Sequence, residues 1–379
     1  MNGQTDARYT GRFTAAKKNT ARRITGGTLA LLILLLSLAR IGAEALKLLA
    51  YADIFIGGGR MLIYGDVHNV DMGDSVNGVP IVDEVPTGSD DYILRLNDGT
   101  TIVYQGHTYE LNRDLTTVLF LGIDHEITET DVIGTGGQSD VILLIALDTK
   151  TGETTVLNIP RDTYAQIDIY TIDNKYAGVS FEQITVAYAY GNGRETSCEN
   201  TIRSVSRLLF GLPVSSYLAV DMKGIQAANE AVGHVTLNSL IDVTMTDGVT
   251  FKQGDAIELQ GAYLDRYIRT RGQELDANAK RMERQMQYVT EYAKLAVAKS
   301  SQDLTFPVDL FSALAPYMVT NLDIPDVTFL SSTFLNHGAS FSFRGLSGTY
   351  GKLYGSSVYY LDETDLFEAV LQVFYTRID

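Results

Sequence analysis

The chain has 379 residues, of which 45% are hydrophobic, and this is enough to bury one large core or two smaller ones. Its formal net charge is −16 and its isoelectric point is about 4.7, so nucleic acid is not expected as a partner. The single cysteine, Cys198, excludes an intrachain disulfide, and the five histidines include no HxxxH or HExxH pair that would indicate zinc.

The amino terminus is predicted to be anchored in a membrane. Residues 1–23 are basic, which is typical of a cytoplasmic tail, and residues 24–39 are apolar or weakly polar. As a helix these sixteen residues reach only roughly 24 Å, so an amphipathic interfacial extension to residue 49 is needed to span a hydrocarbon core of roughly 30 Å. A single transmembrane anchor over 24–49 then places the rest of the chain outside the cytoplasm.

A cleavable signal peptide is the competing interpretation of the same apolar run. The residues after it remain amphipathic and contain no A-x-A site, which favours the anchor. Protease cleavage within residues 1–23 on intact cells would contradict the predicted orientation.

Residues 50–114 are predicted to form a small accessory segment. Glycines and scattered polar residues over 57–92 indicate a stalk or an irregular β region. Over 92–109, short apolar runs alternate with turn sequences at Asn97-Asp98-Gly99 and Gln105-Gly106. This pattern predicts a β-meander, for which we expect a packing role.

Residues 115–379 are predicted to form an α/β domain outside the cytoplasm. Near-continuous apolar runs at 117–123, 140–147 and 154–159 indicate strands, and buried strands of this kind are covered by helices on both faces of their sheet. The helix candidates lie at 180–190, 196–210 and 223–231. The expected fold is a three-layer α-β-α sandwich with a mixed central sheet.

Charged residues stand where these three strands begin or end. Asp124 follows the first strand, Asp140 opens the second, and Arg161 and Asp162 follow the third. Open α/β sheets bind ligands at such an edge, and two carboxylates without His or Cys suit a hard cation such as Mg²⁺ or Mn²⁺. Taken singly, an aspartate at the end of a strand is more often a turn former or a helix cap.

A cluster of arginines occurs later in this acidic chain. Five fall within nineteen positions: Arg266, Arg269, Arg271, Arg281 and Arg284. Guanidinium groups cluster where phosphate or carboxylate is bound bidentately, although a solvated helix face is the alternative. A helix from Asn278 would place Arg281, Arg284, Gln285 and Tyr288 on one face, and Arg269 and Arg271 share a side if their segment is extended. The cluster predicts a site for an anionic phosphate ligand.

These residues, in this order, resemble the LytR-CpsA-Psr family over about residues 115–379. The segments that carry the resemblance are Leu-Gly-Ile-Asp124, Ser-Asp140, Ile-Pro-Arg161-Asp162-Thr, Ala-Tyr-Ala-Tyr190-Gly191, Tyr-Ile-Arg269-Thr-Arg271 and Arg281-Met-Glu-Arg284-Gln285. The resemblance implies a membrane-anchored, extracytoplasmic ligase that moves a teichoic acid or capsule-type polymer from a polyprenyl diphosphate carrier to peptidoglycan.

The resemblance also implies roles for single residues. Magnesium would lie on Asp124 and Asp140, the diphosphate would be held by Arg161, Arg269, Arg271 and Arg281, and Gln285 would lie nearby. Arg161 and Asp162 are the candidate catalytic residues, Asp162 as the base, with a turn role as its alternative.

The chain departs from the family pattern at three positions. Glu126 stands where the family commonly has Arg, Gln183 where it often has Lys, and Asn278 where it often has Asp. Two cationic positions are thus lost, so either the affinity for phosphate is lower or Lys175 and Arg194 replace the lost cations. Two other functions therefore remain open: a phosphatase for the same lipid diphosphate, and a non-catalytic lipid-binding or regulatory module.

Overall fold

The computed structural model describes residues 94–96, 101–129, 131–272, 277–353 and 355–379. The predicted cytoplasmic tail, the predicted anchor and the predicted stalk lie outside these residues. Within the described part of the chain, no helix is long and apolar enough to cross a membrane.

The domain is built around a six-stranded mixed sheet. Its strand order is β14-β9-β4-β5-β6-β15. The strands are β4 Leu115–Ile123, β5 Ser139–Asp148, β6 Thr154–Asn158, β9 Ser216–Asp221, β14 Met318–Thr320 and β15 Phe341–Gly345. β4 pairs antiparallel with β5 and β5 with β6, whereas β9 and β15 run parallel to their inner neighbours. The three strands predicted from apolar runs are confirmed, and they occupy the centre of the sheet.

Helices pack on both faces of this sheet, which confirms a mixed α/β fold. They are α1 Glu195–Leu208, α2 Met222–Val232, α3 Ala262–Arg269, α4 Ala277–Gln302, α5 Phe306–Leu314, α6 Ile324–Asn336 and α7 Glu363–Phe374. Helices α1 and α2 match two of the three predicted ones.

The third predicted helix, over 180–190, is wrong in its first third. Residues up to Gln183 belong to strand β8 (Tyr176–Gln183), and only Ile184–Tyr190 is helical, as a 3-10 helix. The cause is tertiary: β8 pairs antiparallel with β7 (Tyr164–Tyr170), a partner that local propensity does not reveal. The hairpin is held to α1 by a buried cluster in which Asp168 accepts hydrogen bonds from Arg203 and Arg207, each at 2.6 Å.

Alternate residues of the central strands point to opposite faces of the sheet. On one face, Leu119, Leu121, Ile142 and Leu144 are fully buried against α1, α7 and the 3-10 helix. The other face looks towards α2, α4 and α6 across an apolar cavity. The free Cys198 lies buried in the core of the first face.

The remaining strands form small sheets around this frame. The predicted meander is confirmed as β1 Leu94–Leu96, β2 Thr101–Tyr104 and β3 His107–Leu111, and β3 also pairs with the carboxyl-terminal strand β18 Tyr375–Arg377. Four further short strands pack with α3 in a second hydrophobic cluster. They are β10 Thr236–Asn238, β11 Val243–Thr244, β12 Thr250–Phe251 and β13 Ala256–Glu258. A hairpin of β16 Gly348–Leu353 and β17 Ser356–Leu361 borders the site described next.

Candidate functional site

The predicted strand-end residues meet at one edge of the sheet. Because β5 runs antiparallel to β4 and β6, its first residues lie beside the last residues of both neighbours. Gln138 links Asp124 to Arg161. Its backbone N–H donates to Asp124 Oδ1 at 2.7 Å, and its side-chain Oε1 accepts from Arg161 Nη2 at 2.7 Å. Gly137 at φ +81° makes this turn possible, since a Cβ there would lie 2.8 Å from Asp124 Oδ1.

Asp140 sits between two buried arginines. One carboxylate oxygen pairs with Arg161 Nη1 and the other accepts from Arg281 Nη1 at 3.2 Å. The side chains of Arg161 and Arg281 are 14% and 4% exposed, so these charges are largely withdrawn from water. The structure therefore brings Asp140, Arg161 and Arg281 together, although they are far apart in sequence.

This pocket combines two arginines with the carboxylates of Asp140 and Asp162. Burial lowers the pKa of Arg161, and the positive charge of Arg281 lowers it further. Burial likewise lowers the pKa of Arg281, followed by the charge of Arg271. Among the described residues, the buried Nε atoms of Arg161 and Arg281 have no hydrogen-bond acceptor. A ligand with several anionic oxygens would satisfy these donors and relieve the repulsion.

Asp162 is almost completely buried at the floor of the same pocket, with 2% exposure. Gln183 Nε2 donates to its Oδ1 at 3.1 Å, and Asn278 Nδ2 donates to its Oδ2 at 2.7 Å. Arg161 Nε lies 3.4 Å from Oδ1 as an ion pair. Two of the three departures from the family pattern, Gln183 and Asn278, thus meet on one carboxylate, and both are uncharged donors.

The two arginines predicted on one face of α4 have different partners. Arg281 enters the pocket, but Arg284 donates to the backbone carbonyls of Tyr267, Thr270 and Lys280. The expectation that Arg284 and Arg281 address one ligand is wrong, because the Arg284 side chain is used to fasten α4 to α3. This contact fixes the position of the Arg269-Thr270-Arg271 segment.

Arg269 and Arg271 flank Thr270 at the end of α3. Arg269 is the last helical residue, so the Arg-Thr-Arg segment is extended only from Thr270 onwards, contrary to the prediction. The Arg269 side chain is half-exposed and pairs with Asp265 at 3.2 Å. Arg271 is exposed, and its charge acts on both buried arginines.

The charged pocket lies beside the apolar cavity. The pocket is lined by Asp140, Arg161, Asp162, Arg281 and Gln285, together with neighbouring residues of β5, β6, α4 and β16. Asp140 and Gln285 also line the cavity, which has a volume of about 520 Å³ and is walled by the second face of the sheet, by α2, by α4 and by α6. The two spaces share Asp140, Val141 and Gln285 in their walls.

The two predicted metal ligands border the same end of the cavity. Asp124 is exposed and Asp140 is bound to arginines, and within the described ranges no group of three His, Cys, Asp or Glu side chains is arranged to hold a metal. Magnesium is commonly held by one or two carboxylates with the phosphate of a substrate. Asp124 and Asp140 are the donors that such a site would use, and oxygens of a substrate would supply the remaining ligands.

Several residues of the pocket were not predicted as functional. Gln138 bridges Asp124 and Arg161, while Tyr350 lines the pocket, and burial followed by the charge of Asp162 raises the pKa of Tyr350 to about 12. Isolated Gln and Tyr residues give no periodic signal in the sequence, so only the pairing of distant segments reveals them.

The expected replacements for the lost cations lie elsewhere. Lys175 pairs with Asp173 in the turn of the β7–β8 hairpin, and Arg194 pairs with Glu129. Lys223 instead pairs with Glu126 at 2.5 Å, beside the end of β4.

Comparison with known proteins agrees with this architecture. The sequence matches the LytR_cpsA_psr family over residues 89–373. A relative in Oceanobacillus iheyensis, named polyisoprenyl-teichoic acid–peptidoglycan teichoic acid transferase TagU, is 30% identical over 227 residues. That match covers 59% of this chain and 63% of the relative, which is somewhat less than two thirds of its length.

Solved structures show the same fold. A crystal structure of a Streptococcus agalactiae protein superposes with a TM-score of 0.56 at 20% identity, covering 69% of this chain and 86% of the other. TagV of Bacillus subtilis superposes with a TM-score of 0.53 at 22% identity, covering 68% of this chain and 95% of the other.

Proposed function

The chain belongs to the LytR-CpsA-Psr family, and from this premise we propose that it transfers an anionic glycopolymer from a polyprenyl diphosphate carrier to peptidoglycan. Relatives named as teichoic acid transferases support this reaction class. The observation that carries the proposal is a pocket of largely buried arginines beside an apolar cavity, with Asp140 and Gln285 in the walls of both. A lipid diphosphate has the matching shape, with an anionic head and an apolar tail.

In this proposal the tail lies in the cavity and the diphosphate lies against Arg161 and Arg281. Arg269 and Arg271, which are more exposed, add positive charge near the diphosphate. Gln285 lines both spaces and would contact the junction between head and tail. Burial of the pocket strengthens the hydrogen bonds that these guanidinium groups make to phosphate oxygens.

Transfer begins when an acceptor hydroxyl of the wall attacks the phosphorus that bears the polymer. The bond from that phosphorus to the bridging oxygen breaks, and polyprenyl phosphate leaves with the electron pair. Negative charge grows on the departing oxygen, and fixed guanidinium groups stabilise it without reorganisation. We assign the proton of the acceptor hydroxyl to Asp162, which borders the pocket.

Magnesium, or manganese, is the proposed cofactor, held by Asp124 and Asp140 together with ligand oxygens. When bound, it would neutralise charge on the diphosphate. The proposed location is the outer side of the cell membrane, with the chain anchored through 24–49, because the carrier lipid does not leave the bilayer.

Binding of a short-chain prenyl diphosphate to the purified chain tests the pocket. Arg161→Lys and Arg281→Lys keep the charge but lose the planar fork, so each should weaken binding by roughly ten- to hundredfold, the effect of about one lost charged hydrogen bond. The matched control is Arg266→Lys on α3, an exposed arginine that donates to the Thr244 carbonyl instead. Equal affinity for all three variants and the original chain would contradict the assignment.

The same assay, followed by product analysis, tests the reaction. Asp162→Asn should bind the diphosphate within about threefold of the original chain but lose transfer by roughly a hundredfold or more, as expected for a proton acceptor. Release of free phosphate without attachment would instead show a phosphatase. Binding without either product would show a non-catalytic module.

A further inference from the structure

Exposed apolar side chains are concentrated on one hairpin of this domain. Among the described residues, nine large hydrophobic side chains are exposed, and five of them lie on β7–β8 or against it: Ile172, Tyr176, Val179, Phe181 and Tyr360. Single exposed apolar residues need no explanation, but a cluster of this kind indicates a binding surface.

Three aromatic rings form the ordered part of this cluster. The Tyr164 ring lies 5.4 Å from Phe181 and 5.5 Å from Tyr360, measured between ring centroids. Phe181 is 50% exposed and Tyr360 is 40% exposed. We refer to Tyr164, Phe181 and Tyr360 as the aromatic platform.

The backbone holds this platform in place. Gly351 lies under the Tyr360 ring, where a Cβ would come within 2.7 Å of a ring carbon. Gln166 stands directly opposite Phe181 in the antiparallel register and so points to the same side. Three polar groups beside the rings have no hydrogen-bond partner among the described residues: the Gln166 amide and the hydroxyls of Tyr164 and Tyr360. These groups are therefore available to a ligand.

The platform adjoins the charged pocket. Gln183 is paired opposite Tyr164 in the hairpin, and its amide donates to Asp162. The neighbour of Tyr360, Tyr359, donates its backbone N–H to the Asp162 carbonyl. The Tyr359 ring packs at a 57° tilt against Tyr350, which lines the pocket. Tyr164, which lies two residues after Asp162 and opposite Gln183, thus places the platform beside the pocket.

The lipid cavity lies apart from the platform. None of the residues that line the cavity belongs to β7, β8 or β17. A carrier lipid in the cavity would therefore leave the platform open.

We propose that the aromatic platform is the subsite for a sugar ring of the acceptor glycan, an identity that rests on the proposed function. One face of a pyranose presents C–H groups, which pack on the electron-rich faces of aromatic rings, while its hydroxyls hydrogen-bond to neighbouring amides and phenols. The platform supplies both kinds of group. It would hold the glycan so that a hydroxyl reaches the pocket at Asp162.

The absence of tryptophan from the chain allows a direct test. Phe181→Trp in the full-length chain places one emitter on the platform, and its fluorescence should change on titration with soluble peptidoglycan glycan fragments released by a muramidase. The matched control is Val249→Trp, an exposed position in the β11–β12 hairpin that should give no response. No response from Phe181→Trp would overturn the proposal. A response to phosphatidylglycerol vesicles but not to glycan would also overturn it, because the surface would then bind membrane.

A second measurement separates this proposal from the proposed function. Tyr360→Ala should weaken glycan binding by about tenfold through loss of an aromatic contact, and Tyr360→Phe should restore most of it. Affinity for a prenyl diphosphate should not change in either variant, which also shows that the chain remains folded. Unchanged glycan binding in Tyr360→Ala would refute the platform even if transfer occurs. Glycan binding without transfer would refute the transferase function and leave the platform standing.

Discussion

The two faces of the central sheet are equally apolar in sequence but differ completely in packing. Leu144 and Ile145 are neighbours on β5; Leu144 is fully buried in the core beneath α1 and α7, whereas Ile145 lines the cavity beneath α4. The first face is filled by side chains. The second encloses about 520 Å³ of space.

This difference in packing indicates that one face of the sheet contributes mainly to stability and the other to ligand binding. Atoms that line a void lack contact partners on one side and contribute less dispersion energy than atoms of a filled core. On α4, Ala293 and Ala296 face the sheet with small side chains, which leave the space open. The second face is therefore suited to take up an apolar ligand, while the first maintains the fold.

The largest expected effect is on stability. Leu144→Ala should lower the free energy of unfolding by about 2–5 kcal/mol, because it creates a hole in a filled core. Ile145→Ala should cost only about 1 kcal/mol, because its side chain already borders a void. Urea unfolding of the two variants measures the difference, and equal losses would show that the two faces are packed alike.

A smaller effect is expected from filling the cavity. Ala296→Phe should weaken binding of a long-chain prenyl diphosphate by about tenfold, because the ring occupies space needed by the tail. Binding of a short-chain analogue should be unchanged. The control is Ala298→Phe, an exposed position on the same helix. If both variants bind the long chain as the original does, the tail lies elsewhere.

The smallest effect is expected at the rim of the cavity. Arg269 lines the cavity but is half-exposed and already paired with Asp265. Water and salt weaken exposed charge interactions, so Arg269→Lys should reduce diphosphate affinity by at most about threefold. Calorimetric titration beside Arg281→Lys measures this, and a larger loss for Arg269→Lys would reverse the proposed ranking of the two arginines.

Much of the site followed from strand-end reasoning. Asp124 follows β4, Asp140 is the second residue of β5, and Arg161 comes shortly after β6; the position of strand ends is a local property. The arginines of α3 and α4 were less predictable. Arg281 and Arg284 are both arginines and lie on one helix face. Arg281 nevertheless enters the pocket, whereas Arg284 binds backbone carbonyls. Their roles depend on which segment packs opposite each of them.

The sequence by itself determined the apolar central strands, the helices α1, α2 and α4, and the family, because these depend on periodicity and on short motifs. Only the tertiary structure decided that β8 is a strand, that Gln183 and Asn278 both bind Asp162, and that one face of the sheet encloses a cavity. The physical reason is that pairing and packing join residues more than a hundred positions apart, as with Asn278 and Asp162. An apolar residue carries the same local signal whether it meets another side chain or an empty space.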